Sequence, residues 1–308
     1  ITALFVGLGS IGTRHLKNLA NLCADRGWTL QADALRSDLT RPLRPGAAEL
    51  LHAQYTDPAA APAHYDMVFI TNPTSLHAEA LRQVKGRGEA LFIEKPIFSA
   101  EQTGLALDEL LPASQKAYVA APMRWCGAML ALKDRLPALH PYCARVICSS
   151  YLPDWRPGVD YRTVYSARKA LGGGVTIDLI HEWDYLVELF GVPEKLYNFK
   201  GTYSELEIDS DDLSVYIAKY PTLLAEVHLD YFGRGYRRSI ELFCRDGSYL
   251  ADFGKGTLTL PDGTVQHYEE DVNRRYEREM EYFVDYALTG CGESCNPPAL
   301  ALKVLKLT

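Results

Sequence analysis

The sequence predicts an α/β domain built on a doubly wound parallel sheet, followed by an α+β domain with a large, mostly antiparallel sheet. Three observations carry that prediction. Over the first 122 residues, short apolar runs alternate with helix-period segments, the rhythm of a parallel sheet covered on both faces. A glycine-rich turn, Gly7-Leu8-Gly9-Ser10-Ile11-Gly12, joins the first apolar run to the first helical segment. Beyond residue 122, long strand-like runs are separated by the turn signals Asp246-Gly247 and Asp262-Gly263. The expected division is therefore 1–122 and 123–308, in keeping with a chain of 308 residues, too long for one ordinary core.

Element by element, Ala3 to Val6 reads as the first strand, and Gly12, Leu16, Leu19 and Cys23 then recur at helical spacing. Leu30 to Leu35 is the next strand, and a Pro-rich linker runs from Arg41 to Pro45. The alternation resumes with the strand Met67 to Ile70 and a helix carrying Leu76, Ala80, Leu81 and Val84. The strand Leu91 to Ile93, a helix through Leu107 and Leu111, and the strand Tyr118 to Ala120 complete it. In the second part a helix spans Met129 to Leu136, a strand Arg145 to Tyr151, and one helix Val175 to Phe190. Strands follow at Leu213 to Tyr220, Leu223 to Phe232 and Arg237 to Phe243. The segments Tyr276 to Ala287 and Ala299 to Leu307 return to helical period and are placed to cover a sheet face.

Composition narrows the function classes. With 47% hydrophobic and 23% charged residues the chain is globular in type, and 32 basic against 39 acidic residues leave a net charge of -7. Nucleic acid is a poor partner for that balance. No apolar stretch approaches the roughly twenty residues of a membrane span, so a soluble, cytoplasmic protein is expected. Seven scattered cysteines fit reduced thiols, and Cys291 and Cys295 lack the neighbours a zinc site needs, so no metal is expected.

The glycine turn is GxGxxG between a strand and a helix, the context of a dinucleotide-binding (Rossmann) fingerprint. Gly7 makes the tight turn, Gly9 lets the backbone approach a pyrophosphate, and Gly12 lets helix and strand pack closely. Ser10 and Ile11 offer amides at the helix N-terminus. At the end of the second strand, where an acidic residue would bind the ribose of NAD, the sequence has Arg36-Ser37-Asp38. Arg36 and Ser37 favour NADP, while Asp38 keeps NAD in play.

These residues resemble the Gfo/Idh/MocA oxidoreductases, which include glucose-fructose oxidoreductase and inositol dehydrogenase. The resemblance rests on GLGSIGTRHLKNL at 7–19, TNPTSLHAEAL at 71–81, Glu94-Lys95-Pro96, and GGGVTIDLIHEWDYL at 172–186. It implies that Thr71, Asn72, Pro73, His77 and Glu94 join the cofactor site. It also implies a catalytic Lys95 between nicotinamide and substrate, and a cis bond before Pro96. Physically, a lysine at the carboxyl end of a parallel strand lies where α/β sheets bind ligands. The resemblance further implies a homodimer or homotetramer formed through the second domain, which would also bind substrate.

On the predicted helix from Val175 to Phe190, Asp178, His181 and Tyr185 share one face by spacing, a polar stripe that needs partners or a purpose. His181 is the expected proton carrier and Asp178 its orienting group. The family's usual spacing between the two is one residue longer, so an ungapped alignment would move the role to Glu182. Gly172-Gly173-Gly174 ahead of the helix would admit a ligand to the backbone. Tyr151, Trp155, Arg156, Tyr161, Arg162 and Tyr165, with Arg124, supply rings and charges suited to a sugar bearing a carboxylate or phosphate.

Three readings follow. The leading one is an NAD(P)-dependent dehydrogenase, NADP-preferring, acting on a hydroxyl or keto carbon of a sugar, sugar acid or nucleotide-sugar. The others are an NAD-dependent glycosidase of the same family and a non-catalytic NAD(P)-binding regulator, which would need neither Lys95 nor His181.

Overall fold

The computed structural model describes residues 1–112, 114–289 and 292–308. Cys291 lies outside the described residues; the six described cysteines are all free thiols. The chain divides into two compact units, Ile1–Ala121 with Tyr276–Leu305, and Pro122–Arg275 with Lys306–Thr308. A cut at 122/123 alone would leave the segment from Tyr276 with the second unit, whereas it packs with the first.

In chain order the first unit contains β1 (Thr2–Val6), α1 (Ser10–Asp25), β2 (Gln31–Leu35), β3 (Leu51–Tyr55), β4 (Tyr65–Ile70), α2 (His77–Gln83), β5 (Gly88–Ile93), α3 (Leu107–Leu110) and β6 (Lys116–Val119). All strands are parallel, in the order β3-β2-β1-β4-β5-β6, which is the doubly wound dinucleotide-binding topology. The central strands are buried along almost their whole length, as expected of a sheet covered on both faces. β3 escaped the sequence reading because LHAQY alternates half-buried with exposed residues at the sheet edge. The helix expected through Leu111 is a single turn.

The second unit contains α4 (Gly127–Arg135), β7 (Cys143–Tyr151), α5 (Val175–Asp178), α6 (His181–Phe190), β8 (Lys195–Gly201), β9 (Leu213–Lys219), β10 (Leu224–Asp230), β11 (Phe232–Cys244), β12 (Gly247–Asp252), β13 (Thr257–Thr259) and β14 (Val265–His267). Its eight strands run β14-β13-β12-β11-β7-β10-β9-β8, antiparallel throughout except for the parallel pair β7 and β10. α6 lays Trp183 edge-on against Tyr216 of β9, ring centroids 5.0 Å apart, sealing one face.

α7 (Asn273–Thr289) and α8 (Pro298–Leu305) close the chain. Met280, Phe283, Val284 and Ala287 of α7 enter the core of the first unit, where Phe283 meets Phe69 and Phe92 edge-on at 5.4 and 5.2 Å. The helical period of that segment thus does cover a sheet face.

The single helix expected from Val175 to Phe190 is two, broken at Leu179 and Ile180. Neither residue is a helix breaker, so the sequence carries no sign of the break. Its consequence is that Asp178, His181 and Tyr185 do not form one helical stripe, and Tyr185 is buried beside Phe253.

Candidate functional site

In the first unit the three glycines of the turn do different work. Gly7 has φ +88°, and a Cβ there would lie 2.7 Å from the Asn72 backbone. A Cβ at Gly12 would meet Thr71 Oγ1 at 2.6 Å and the Gly7 carbonyl at 2.7 Å. Both are therefore packing glycines. A Cβ at Gly9 would meet nothing within 4 Å, so the open side of the turn, at the N-terminus of α1, is where an anionic ligand can reach the backbone. The residues present fit a dinucleotide: the turn, the uncapped first amides of α1 at Ser10 and Ile11, and the strand ends beside them.

Thr71 Oγ1 donates to the Gly7 carbonyl at 2.6 Å, tying the ends of β1 and β4. Pro73 opens the short turn before α2. His77 is fully buried, its ring nitrogens 3.1 Å from the Ile97 carbonyl and 3.0 Å from that of Asn72. Burial pushes its pKa down, so the neutral ring serves one carbonyl at a time as donor. The sequence reading placed His77 against the cofactor; the structure makes it a staple between two loops.

At the end of β2 the Arg36 guanidinium donates to Gln54 Oε1 at 2.7 Å and to the Arg41 carbonyl. With Arg41 and Arg44 it lines a cavity of about 440 Å³. The Asp38 carboxylate accepts the Thr40 hydroxyl and amide, at 2.6 and 2.8 Å, and these bonds hold its pKa below the usual range. Ser37 lies beside them, exposed.

After β5, Glu94 is 7% exposed, with Oε1 2.6 Å from His15 Nε2 and Oε2 accepting the Lys95 amide at 3.1 Å. Burial pushes the Glu94 carboxyl up, but the His15 hydrogen bond and the charges of His15 and Lys95 outweigh it and hold the group low. Sequence reasoning missed His15, although it shares the buried face of α1 with Leu16 and Leu19. The Lys95–Pro96 bond is cis, and the Lys95 ammonium makes no hydrogen bond or ion pair among the described residues.

In the second unit a cavity of about 420 Å³ is lined by Tyr151, Trp155, Asp178 and His181, all anticipated from sequence, together with Arg234, Tyr236 and Arg238, which were not. Asp178 accepts the Tyr165 hydroxyl through Oδ1 and the Tyr231 hydroxyl through Oδ2, each at 2.5 Å. Burial and then the charge of Asp178 push both tyrosines above their ordinary pKa, so they stay protonated donors. Asp178 is therefore held by two tyrosine hydroxyls. Trp155 Nε1 donates to Ser150 Oγ at 3.1 Å, and its ring meets Tyr231 edge-on at 5.2 Å.

Glu182 is fully buried and receives Arg238 through two bonds, at 2.6 and 3.0 Å. That pairing commits both oxygens of its carboxylate to Arg238. Arg124 is also corrected: it is 2% exposed and grips Asp184 through Nε and Nη2, at 2.8 and 2.7 Å. Arg162 is exposed but occupied by Asp160 and Glu207. Arg156 lies over the Tyr165 ring and, with Tyr161, lines a separate narrow crevice. Gly173 and Gly174 pack against the Tyr165 carbonyl and Asp211, so they serve the chain and admit no ligand.

Among the described residues, no group of three or more His, Cys, Asp or Glu side chains could hold a metal ion, and no helix is long and apolar enough to cross a membrane.

Residues 1–120 match the family model of the Gfo/Idh/MocA oxidoreductases with an NAD-binding Rossmann fold. No curated protein matches the chain by sequence. Among solved structures, an oxidoreductase from Agrobacterium radiobacter in complex with NAD+, L-tartaric acid and magnesium superposes with a TM-score of 0.79 at 17% identity, covering 100% of this chain and 94% of that one. The myo-inositol 2-dehydrogenase of Lactobacillus plantarum gives 0.76 at 19% identity, covering 99% and 94%. The WlbA dehydrogenase of Bordetella pertussis, in complex with NADH and UDP-GlcNAcA, gives 0.73 at 17%, covering 99% and 93%. At these identities the likeness concerns the fold.

Proposed function

We propose, from the match of residues 1–120 to the Gfo/Idh/MocA oxidoreductases, an NADP-preferring oxidoreductase acting on a hydroxyl or keto carbon of a sugar, sugar acid or nucleotide-sugar. The observation that carries the reading is the division of labour in the glycine turn, where Gly7 and Gly12 pack and only Gly9 faces open space. The related folds in complex with NAD+ and NADH support a nicotinamide cofactor, and the inositol and UDP-GlcNAcA neighbours support a polyhydroxylated substrate.

When bound, the cofactor supplies hydride transfer at its nicotinamide ring. The chain's own residues do the rest. The first amides of α1 bind the pyrophosphate, and the Gly9 backbone admits it. Arg36, with Arg41 and Arg44 in the same loop cavity, favours a 2′-phosphate, while Asp38 is occupied by Thr40. In this proposal Lys95 donates hydrogen bonds to the reacting oxygen and stabilises its developing charge, with Glu94 and His15 fixing the backbone beneath it. His181, at the first turn of α6 and in the wall of the 420 Å³ cavity, carries the proton. Exposed Tyr197, Phe199 and Ile217 on the outer strands of the second sheet support self-association as a homodimer or homotetramer. A cytoplasmic location suits the free thiols.

The test is turnover. Protein incubated with NADP+ and a panel of polyols, uronic and aldonic acids and nucleotide-sugars should raise absorbance at the reduced-nicotinamide band with at least one of them. Tight cofactor binding with substrate consumed but no net absorbance change would replace the dehydrogenase by the glycosidase reading.

A further inference from the structure

The cavity in the second unit holds a cation that the reading of the site has not used. β11 leaves its register with β7 between Phe232, opposite Tyr151, and Arg237, opposite Ser149. The four residues Gly233 to Tyr236 therefore stand against Ser150 alone, a wide bulge of the kind that re-aims side chains beside functional sites. The bulge is pinned at its start, where Asp230 Oδ1 accepts the amides of Phe232 and Gly233 at 3.1 and 2.7 Å. It also requires its glycine, because a Cβ on Gly233 would sit 1.9 Å from Ser149 Oγ.

What the bulge presents is Arg234. Its guanidinium carbon lies 3.8 Å from the centroid of the Tyr151 ring, close enough to hold the fork flat on that face. Arg234 makes no hydrogen bond or ion pair among the described residues, so its five N–H donors are open. Of the other charged side chains lining the cavity, two are matched. Arg238 is matched by Glu182, and Asp178 is held by two tyrosine hydroxyls. Asp154 is exposed and pairs with no cation among the described residues.

We infer that Arg234 reads a carboxylate on the substrate, so that among polyhydroxylated compounds this site takes an acid over its neutral counterpart. The inference rests on the oxidoreductase reading and deepens it. A planar fork with in-plane donors matches the two oxygens of a carboxylate. A phosphate offers similar oxygens with more charge, and the experiment separates the two. The assignment replaces Arg156 and Arg162 as the anion partner, since neither lines this cavity.

The experiment is calorimetric titration of NADPH-loaded protein with D-glucuronate, its methyl ester and D-glucose 6-phosphate. Wild type should bind glucuronate about ten- to a hundredfold tighter than the ester, the size of a charged hydrogen-bonded pair. Arg234→Gln should lose that preference while keeping its NADPH affinity, and Arg234→Lys, which keeps the charge without the fork, should fall between. Equal or absent binding of acid and ester by wild type overturns the inference, as does a preference that survives undiminished in a folded Arg234→Gln protein. Tighter binding of the 6-phosphate than of glucuronate overturns the carboxylate and assigns a phosphate. Failure of NADPH itself to bind would instead strike the oxidoreductase reading.

Discussion

Gly7 and Gly9 lie between β1 and α1 and Gly12 in the first turn of α1, whereas the partners of Asp178 come from Tyr165 and Tyr231, 13 and 53 residues away. In the first region the backbone of one short segment forms the proposed site. In the second the cavity is assembled by β7, the α5–α6 break and a bulge in β11, and no short segment contains it. A site that is a backbone conformation is written in contiguous residues; a site that is an enclosure is written in pairings between distant ones. The substitutions with the most to say are those that separate the two kinds.

The largest effect is expected at the proton and at the reacting oxygen. His181→Ala and Lys95→Ala should each bind NADPH within a few-fold of wild type yet lose about a hundred- to ten-thousandfold in kcat. Steady-state kinetics beside a cofactor titration checks this, and near-normal kcat in either variant removes that residue from the chemistry. Glu182→Gln addresses the rival assignment. It leaves the half-buried Arg238 opposite a neutral amide, so it should cost about 1.5–3 kcal/mol of stability, read by denaturant unfolding. Any activity it loses should track the fraction unfolded. A well-folded, inactive Glu182→Gln protein would return the proton to Glu182.

Arg36→Asp comes next, with NADPH weakened about ten- to a hundredfold and NADH changed little, because the substitution removes a phosphate partner and adds repulsion. Equal weakening of both cofactors would make Arg36 a general structural residue. The smallest effect concerns acid stability. The Glu94 pKa is held below its unfolded value of about 4.3, so its stabilisation is present above that pH and lost as pH falls through the lower native value. His15→Asn should therefore raise the midpoint of acid unfolding, and an unchanged midpoint would mean that the pair does not stabilise the native state.

The same contrast explains what could be read in advance. β1, β4 and β5 were legible because burial on both faces demands continuous apolar runs, while the half-exposed edge strand β3 offers no such run. The glycine turn was legible because Gly7 to Gly12 is one contiguous segment, although the side chains and backbone that demand glycine at 7 and 12 include Asn72 and Thr71 at the end of β4. The polar stripe on 178–185 was misread because Leu179 and Ile180, where the helix breaks, look like any helical apolar pair. The two carboxylates after His181 face a half-buried arginine, Arg238, and a buried one, Arg124, and only tertiary pairing reveals that. One signal was available: Gly233-Arg234-Gly235 interrupts a strand-forming run, and glycines in a strand mark a bulge.

The claim that the glycine turn is divided between packing and ligand is tested most directly by comparing Gly9→Val with Gly12→Val, each measured by thermal melting and by fluorescence titration with NADPH. Gly9 has φ -74°, which any residue adopts, and open space around its Cβ position. Gly9→Val should therefore melt close to wild type and lose NADPH binding, whereas Gly12→Val should melt well below it because Thr71 Oγ1 stands 2.6 Å away. Full NADPH affinity in Gly9→Val would contradict the account.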